Sequence, residues 1–245
     1  MTTTNFPKPP IIIGGCGRSG TTLMLAILGS HPNIFAIPEE TAVFCPTAYE
    51  KAPILDSPIE TRKIEHLLGE YSIPASCKRW CEKTPKNVLF FPAILKSFGN
   101  GIRLLHMVRD GRDVITSVHP ANSRRFHVSP ERWIMEVSIG IQLMNDPRVL
   151  TIRYEDLVLD FEPTLRHICD FLAEPYTKEL PTWYSTTNIQ WQDSWIGGKV
   201  RPIFTTSIGR WRRTRYSSVV ETFLSKPHAR ECLERLGYIP TPEEC

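Results

Sequence analysis

The chain has 245 residues, 41% of them hydrophobic and 22% charged, which is enough for one sizeable core, so we expect a single domain over residues 1–245. The formal net charge of +3 is too small to indicate that nucleic acid or a membrane surface attracts the protein as a whole. Seven cysteines, without a Cys-x-x-Cys pair or a Cys/His cluster at zinc spacing, argue against a disulfide framework and a structural metal site.

The first ten residues are polar and rich in proline. The apolar triplet Ile11 to Ile13, which comes next, is too short for the hydrophobic part of a signal sequence or for a membrane span. We therefore expect a soluble, cytoplasmic protein that has no stable membrane span.

A glycine-rich loop follows this triplet and precedes the helix-like run Leu23 to Leu28. Residues 14–23 are Gly-Gly-Cys-Gly-Arg-Ser-Gly-Thr-Thr-Leu, and such a strand, loop and helix start favour a bound anion. The glycine spacing imitates a Walker A loop, but Thr21 stands where that loop requires a lysine. Because Arg18 lies in the loop instead, we predict a site for the 5′-phosphate of a nucleotide rather than for a magnesium triphosphate.

Further elements follow in alternation. Apolar stretches predict strands at residues 11–15, 34–37, 102–108 and 149–153. Thr84-Pro85 predicts the N-cap and first turn of a helix that ends near Gly99, and Ser129-Pro130 opens another helix through Met144. This alternation indicates an α/β fold with right-handed crossovers and a parallel sheet, whose ligands bind at the carboxyl edge of the strands.

Two stretches are not assigned to helices or strands. Residues 182–206, rich in Trp, Gly and Ser, are predicted to form a long loop. Cys16, inside the glycine-rich loop, is either a reactive thiol or a small residue tolerated in a tight turn.

Three motifs together resemble the sulfotransferases that use 3′-phosphoadenosine 5′-phosphosulfate (PAPS). Arg18-Ser19-Gly20-Thr21-Thr22-Leu23 resembles their 5′-phosphosulfate loop. The segment 109–117, Arg-Asp-Gly-Arg-Asp-Val-Ile-Thr-Ser, is similar to their 3′-phosphate site, in which an arginine and a serine hold that phosphate. Ser207-Ile208-Gly209-Arg210-Trp211 looks like their late loop, which closes over the cofactor.

The resemblance implies a three-layer sandwich around a central parallel sheet, a P-loop NTPase-like sulfotransferase architecture. It also implies PAPS as donor, 3′,5′-adenosine bisphosphate (PAP) as product, and no metal. Arg109 and Ser117 would hold the 3′-phosphate, because a planar guanidinium binds two oxygens at once. Tyr154 matches a tyrosine that lies near the nucleotide in the family, although a core-facing aromatic ring is the alternative from the residues alone.

The same resemblance implies catalytic roles. Pro38-Glu39-Glu40-Thr41 is similar to a Gly-Glu-Glu-Thr segment of the protein-tyrosine sulfotransferase branch, which makes Glu40 the predicted base, in a partly buried position. Lys83, in Glu82-Lys83-Thr84-Pro85, resembles a lysine that approaches the transferring group, and Arg18 would share its task of neutralising charge. Two alternatives remain: both glutamates cap or solvate a helix, or Glu39 orients Arg18.

Two histidines, three tryptophans and a few departures from the tyrosine branch also bear on the predicted site. His106, inside a strand, and His31, before a proline, are predicted to be structural. Trp183, Trp191 and Trp195 line an acceptor cleft or pack in the core. The tyrosine branch has a further basic residue where this chain has Ala121, with Arg124 and Arg125 displaced from that position, and its serine before the late loop aligns nearer Trp195 than Ser194.

The acceptor is left open among hydroxyl groups of a peptide tyrosine, a carbohydrate, a lipid or a small phenol, and so is the oligomeric state. A P-loop kinase is the main rival, with Asp110 imitating a Walker B carboxylate, but that chemistry requires the missing lysine. A nucleic-acid-binding module is the second rival, because residues 210–215 are Arg-Trp-Arg-Arg-Thr-Arg. A lone basic run is more often a cofactor clamp or a solvated face, so we expect no nucleic-acid partner.

Overall fold

The computed structural model describes residues 6–45, 59–119, 122–187, 189, 203 and 205–241. The strands in these ranges are β1 (Ile11–Gly15), β2 (Ile34–Ala36), β3 (Arg79–Lys83), β4 (Arg103–Val108), β5 (Val118–His119), β6 (Asn122–Phe126) and β7 (Val149–Arg153). The helices are α1 (Thr21–Leu28), α2 (Thr61–Leu68), α3 (Asn87–Phe98), α4 (Gly111–Ile115), α5 (Pro130–Gln142), α6 (Tyr154–Leu159), α7 (Phe161–Leu172), α8 (Trp183–Thr186), α9 (Ser217–Leu224) and α10 (Pro227–Arg235). Among the described residues, no helix is long and apolar enough to cross a membrane.

A five-stranded parallel sheet organises the chain in the order β2-β3-β1-β4-β7. Ile13 on β1 pairs with Lys83 on β3, and Gly14 pairs with His106 on β4. Strands β5 and β6 form a separate antiparallel pair. The parallel sheet and the predicted strands β1, β2, β4 and β7 are therefore confirmed.

Helices cover both faces of the sheet. Side chains alternate along each strand, so each strand contributes apolar side chains to both faces. Ile11 and Ile13 face a core built with α1 and α7, whereas Ile12 faces the opposite core, which includes the aromatic rings of α3. A third apolar cluster joins α4, α5, α9 and α10, with Trp133 and Phe223 at its centre. The predicted α/β three-layer sandwich is confirmed.

The predicted N-cap is correct for α5 and wrong for α3. Ser129 caps α5, since its Oγ accepts a hydrogen bond from the backbone nitrogen of Arg132 at 3.2 Å. Thr84 does not cap α3, which begins at Asn87. Its hydroxyl is committed elsewhere, donating to Glu82 at 2.7 Å and accepting from the Ala42 nitrogen at 3.0 Å.

The long loop predicted at residues 182–206 is wrong at its start. Residues 183–186 form helix α8, and Trp183 is fully buried in the core beside α1. Trp183 therefore does not line a cleft. Trp191, Ser194 and Trp195 lie outside the described residues, as does Ala121.

Candidate functional site

The glycine-rich loop connects the end of β1 to the start of α1 at the carboxyl edge of the sheet. Gly20 precedes α1 with φ +88°, and a Cβ there would lie 2.6 Å from the ring of Tyr154, so only glycine fits this turn. Arg18 also has a left-handed backbone, with φ +74°. No side chain caps the first turn of α1, and the buried Ser19 Oγ has no hydrogen-bond partner among the described residues. The loop thus directs backbone and hydroxyl donors to one place.

Arg109 connects this loop to two other segments. Its Nη1 donates to the Arg18 carbonyl at 3.1 Å, and its Nη2 donates to the Ser207 carbonyl. Its guanidinium lies over the Tyr154 ring, 4.6 Å from the centroid, and the Tyr154 hydroxyl meets Ser207 Oγ at 2.8 Å. Tyr154 is therefore part of the site through its edge and hydroxyl, and Arg109 Nε remains buried without a partner in the described part of the chain.

Three guanidinium groups converge here. Burial lowers the pKa of Arg18, and the positive charges of Arg109 and Arg210 lower it further. Burial and the charge of Arg109 likewise lower the pKa of Arg210, against the opposing effect of Asp113. Crowded cations of this kind are stabilised by an anion, which makes this edge of the sheet a candidate anion site.

Ser117 and Asp113 attach the late loop to α4. Ser117 Oγ donates to the Asp113 carbonyl at 3.0 Å and accepts from Arg210 Nη2 at 3.3 Å. The Asp113 carboxylate accepts from the backbone nitrogens of Gly209 at 2.7 Å and Trp211 at 3.0 Å. The Trp211 ring has Arg112 at 4.0 Å on its face. The loop is thereby held over Arg109.

Glu40 and Lys83 form a hydrogen-bonded ion pair near the same edge. Lys83 ends β3 beside β1, and only 4% of its side chain is exposed. The Glu40 side chain is 41% exposed, so this carboxylate is partly covered by the fold and partly open to solvent. A carboxylate that faces solvent but is held by a buried ammonium group is accessible to an incoming molecule.

Glu39 has a different partner. Its carboxylate accepts a hydrogen bond from the Tyr71 hydroxyl, which favours neither of the alternative roles considered for Glu39. A groove of about 380 Å³ opens beside Glu39 and Glu40, and α2 forms its other wall through Lys63 and Leu67. Glu40 is thus open to solvent on the side of this groove.

The structure also settles several neighbouring side chains. Asp110 caps α4, and its carboxylate holds the Arg112 guanidinium at 2.8 Å, so it is not directed toward a nucleotide's metal ion. His106 is fully buried beside Thr151, and His31 bonds to the Pro175 carbonyl at 2.9 Å, both as structural residues. Complete burial raises the pKa of Cys16, which favours a small packed residue over a reactive thiol.

The structure brings the three motifs and the Glu40–Lys83 pair to one edge of the sheet. Thr21, Thr22 and Leu23 form the first turn of α1 at this edge, and Ile208 lies in the late loop. Sequence reasoning missed Asp113 and Glu82. Each stands inside a quoted motif, Glu82 directly before Lys83 and Asp113 between Arg109 and Ser117, and an acidic group among cations was the available signal.

Comparison with known proteins identifies relatives. Residues 9–71 and 60–178, more than half of the chain, match the model of the sulfotransferase family. A protein-tyrosine sulfotransferase of Drosophila melanogaster is 30% identical over 203 residues, which cover 70% of this chain and 39% of the relative. Protein-tyrosine sulfotransferase A of Caenorhabditis elegans is 27% identical over 272 residues, covering 96% of this chain and 69% of that protein. The chain thus spans less than half of the Drosophila relative.

Solved structures share the fold. The sulfotransferase domain of the Synechococcus PCC 7002 olefin synthase superposes with a TM-score of 0.60 at 19% identity, covering 89% of this chain and 95% of that domain. A mouse sulfotransferase complexed with PAP superposes with a TM-score of 0.56 at 17% identity, covering 92% of this chain and 88% of that one. At these identities the likeness shows the architecture.

The prediction of a cytoplasmic location is wrong. That prediction rested on the polar first ten residues and on the short apolar triplet that follows them, and it used no information about relatives. Those relatives are protein-tyrosine sulfotransferases, and their class overturns the prediction.

Proposed function

Because this chain belongs to the sulfotransferase family, we propose that it transfers the sulfuryl group of PAPS to an acceptor hydroxyl and releases PAP. The observation that carries this proposal is the convergence of Arg18, Arg109 and Arg210 at the glycine-rich loop. Asp113, the carboxylate that raises the pKa of Arg210, is occupied by two backbone N–H groups of the late loop. A ligand with phosphate groups supplies the missing negative charge.

The two ends of PAPS have separate binding groups in this proposal. The 5′-phosphosulfate is bound by the loop and the first turn of α1, through Arg18, Ser19, Gly20, Thr21 and Thr22. The 3′-phosphate is bound by Arg109, Ser117 and Arg210, which already share hydrogen bonds with the late loop. Leu23, Tyr154 and the late-loop residues Ser207, Ile208, Gly209 and Trp211 surround the nucleoside between them.

The chemistry follows from the charged groups at the loop. PAPS supplies an activated sulfuryl group whose leaving group is the 5′-phosphate of PAP. The acceptor oxygen forms a bond to sulfur while the bond from sulfur to the 5′-phosphate oxygen breaks and its electron pair stays on the phosphate. Lys83 and Arg18 stabilise that developing charge, and the Glu40 carboxylate takes the proton of the acceptor hydroxyl. The pairing of Lys83 with Glu40 keeps both groups at the reacting centre.

The acceptor enters by the groove beside Glu40. The names of the animal relatives specify tyrosine in proteins, so we propose a peptide tyrosine as the first acceptor to test. A carbohydrate, a lipid and a small phenol are the other arms of the same experiment.

The decisive experiment is calorimetric titration of the purified chain with PAP in the presence of EDTA, followed by transfer of label from PAP³⁵S to the four acceptor classes. We expect PAP to bind without added metal and at least one class to become labelled. Binding of ATP only with magnesium, and no binding of PAP, would instead favour a kinase.

Glu40→Gln tests the base and Glu39→Gln is its matched control. We expect Glu40→Gln to reduce kcat by about 10²- to 10⁴-fold, the usual contribution of a general base, and to leave the Kd for PAP unchanged. Glu39→Gln should retain most of the activity because Glu39 is engaged by Tyr71. The reverse ranking of the two variants would make Glu39 the base.

A further inference from the structure

Glu82 is a fully buried carboxylate that the proposed reaction does not use. It lies on β3 between Cys81 and Lys83, and its partner across the sheet on β1 is Ile12. Burial raises its pKa, while its hydrogen-bond donors and the charge of Lys83 act in the opposite direction. Burying a carboxylate carries a desolvation cost, which these hydrogen-bond donors offset in part.

Three donors surround this carboxylate. Oε1 accepts from the hydroxyls of Thr41 at 2.8 Å and Thr84 at 2.7 Å, and Oε2 accepts from Asn87 Nδ2 at 2.6 Å. Asn87 Nδ2 also donates to the Ile13 carbonyl at 3.1 Å, which fixes the orientation of its amide. Glu82 thus connects the end of β1, the start of α3 and the segment that carries Glu40.

The direction of each hydrogen bond is determined. Thr41 Oγ1 accepts from the Val43 nitrogen at 3.1 Å, and Thr84 Oγ1 accepts from the Ala42 nitrogen at 3.0 Å. Each hydroxyl therefore gives its single proton to Glu82. An ionised carboxylate satisfies this arrangement, since both of its oxygens can accept from the surrounding donors.

We propose that Glu82 is the positioning residue of the active site: through Thr41 and Thr84 it fixes the segment after Glu40 to the strand that ends in Lys83. Glu82 accepts a hydrogen bond from Thr41, and the next residue, Lys83, is paired with Glu40. Two adjacent residues of β3 therefore hold two adjacent residues of the other segment. The inference rests on the proposed function, since it assigns a purpose to the relative placement of the base and the ammonium group. Small displacements of reacting groups are costly, which gives such a clamp its value.

The test uses Thr41 because its half-exposed side chain can be changed without opening the core. Thr41→Val removes the hydroxyl and keeps the shape, whereas Thr41→Ser keeps the hydroxyl. We expect Thr41→Val to lower kcat about tenfold to a hundredfold and Thr41→Ser to restore activity to within about twofold of the original chain. The Kd for PAP should stay constant in both, because the hydrogen bonds given by the described residues for Arg109, Ser117 and Arg210 lead to other groups than this network.

A double-mutant cycle with Glu82→Gln completes the experiment. If the hydroxyl acts through Glu82, the double variant loses no more kcat than Glu82→Gln alone. The positioning role would be overturned if Thr41→Val had the same kcat as the original chain. It would also be overturned if the losses of the two single variants multiplied in the double variant. Parallel loss of PAP affinity and thermal stability would also overturn it in favour of a purely structural role. A chain that binds no PAP and transfers no label would instead refute the proposed function itself.

Discussion

Arg109 shows how one side chain organises the candidate site. Its two terminal nitrogens are bonded to backbone carbonyls of the glycine-rich loop and of the late loop, and its face rests on Tyr154. Its Nε is buried and lacks a partner among the described residues. The guanidinium is therefore held in place by the fold, while its Nε–H and the second N–H of each terminal nitrogen are not used in these two bonds.

Arg109→Ala should weaken PAP binding before it affects anything else. Hydrogen bonds to charged groups contribute about 1.5–3 kcal/mol, so we expect the Kd for PAP to rise at least about tenfold. Arg103→Ala is the matched control, since Arg103 starts the same strand at the opposite edge of the sheet and bonds to the Ile102 carbonyl. Calorimetry measures both, and an equal loss in the control would remove Arg109 from the phosphate site.

His106 gives the protein a predictable response to acid. Burial lowers its pKa to about 3, compared with about 6.5 for a free imidazole. Between these values the unfolded chain binds a proton that the folded chain does not, so this contribution to stability is complete above about pH 6.5 and is lost as the pH falls toward 3. The slope for this one residue is about 1.4 kcal/mol per pH unit.

Denaturant unfolding of the original chain and of His106→Gln from pH 7 to pH 4 measures this effect. We expect the difference between their free energies of unfolding to shrink as the pH falls, because the variant has no imidazole to protonate at this position. His127, whose pKa burial and nearby cations lower to about 4, contributes equally to both proteins. A constant difference across the range would contradict the assignment.

At the scale of elements, the late loop depends on helix α4. Asp113 accepts from two backbone N–H groups of that loop, and both of its oxygens are engaged. The loop itself contains little regular structure, since residues 210–212 form only one short 3₁₀ turn. Asp113 therefore helps to set the position of the loop over Arg109, together with the contacts of Ser207 to Arg109 and Tyr154.

Asp113→Ala should release this loop without unfolding the domain. The loss of two charge-assisted hydrogen bonds predicts faster amide exchange at residues 207–211, by about tenfold or more, and weaker PAP binding. Hydrogen exchange followed by mass spectrometry measures the first effect, and added PAP should restore part of the protection. Unchanged exchange in this segment would show that other contacts hold it.

The elements also show what the sequence could and could not reveal. Strands β1, β4 and β7 are continuous apolar runs and were predicted, because a strand covered on both faces requires such residues. Strand β3 was missed since its five residues include Arg79, Glu82 and Lys83. Each of these charges is balanced by contacts from distant segments, such as the bond from Arg79 Nε to the Pro9 carbonyl at 2.7 Å. Partners so far apart in the chain leave no local pattern.

The residues of the site also fall into those that the sequence revealed and those that it did not. Arg109, Ser117 and the late loop were found together because their motifs have a recognisable order, and their roles toward a cofactor stay predictions. Glu82 and Asp113 were missed because their importance lies in which backbone and hydroxyl groups reach them. That information comes from the parallel pairing of β1 with β3 and from the docking of the late loop.

At the scale of the whole molecule, the sheet brings cations from two separate parts of the chain to one edge. The glycine-rich loop follows β1, and Arg109 follows the neighbouring strand β4. The charges of Arg18, Arg109 and Arg210 oppose folding as long as no anion lies among them. A ligand that carries phosphates at both ends should relieve this repulsion more than a ligand with phosphate at one end.

Thermal unfolding with a series of adenine nucleotides tests this property of the fold. PAP at about 100 times its Kd should stabilise the chain by about 2.7 kcal/mol, which for a protein of this size corresponds to a rise in Tm of about 5–10 °C. At the same concentration, 5′-AMP and ADP should give smaller shifts because they leave Arg109 and Ser117 without a 3′-phosphate, and Arg109→Ala should reduce the shift from PAP toward that from ADP. Salt should raise the Tm of the free chain more than that of the PAP complex, since it screens the same crowded guanidinium groups. Equal shifts from PAP and ADP would mean that the turn after β4 does not bind phosphate, and the arginine that joins the two loops would then be structural only.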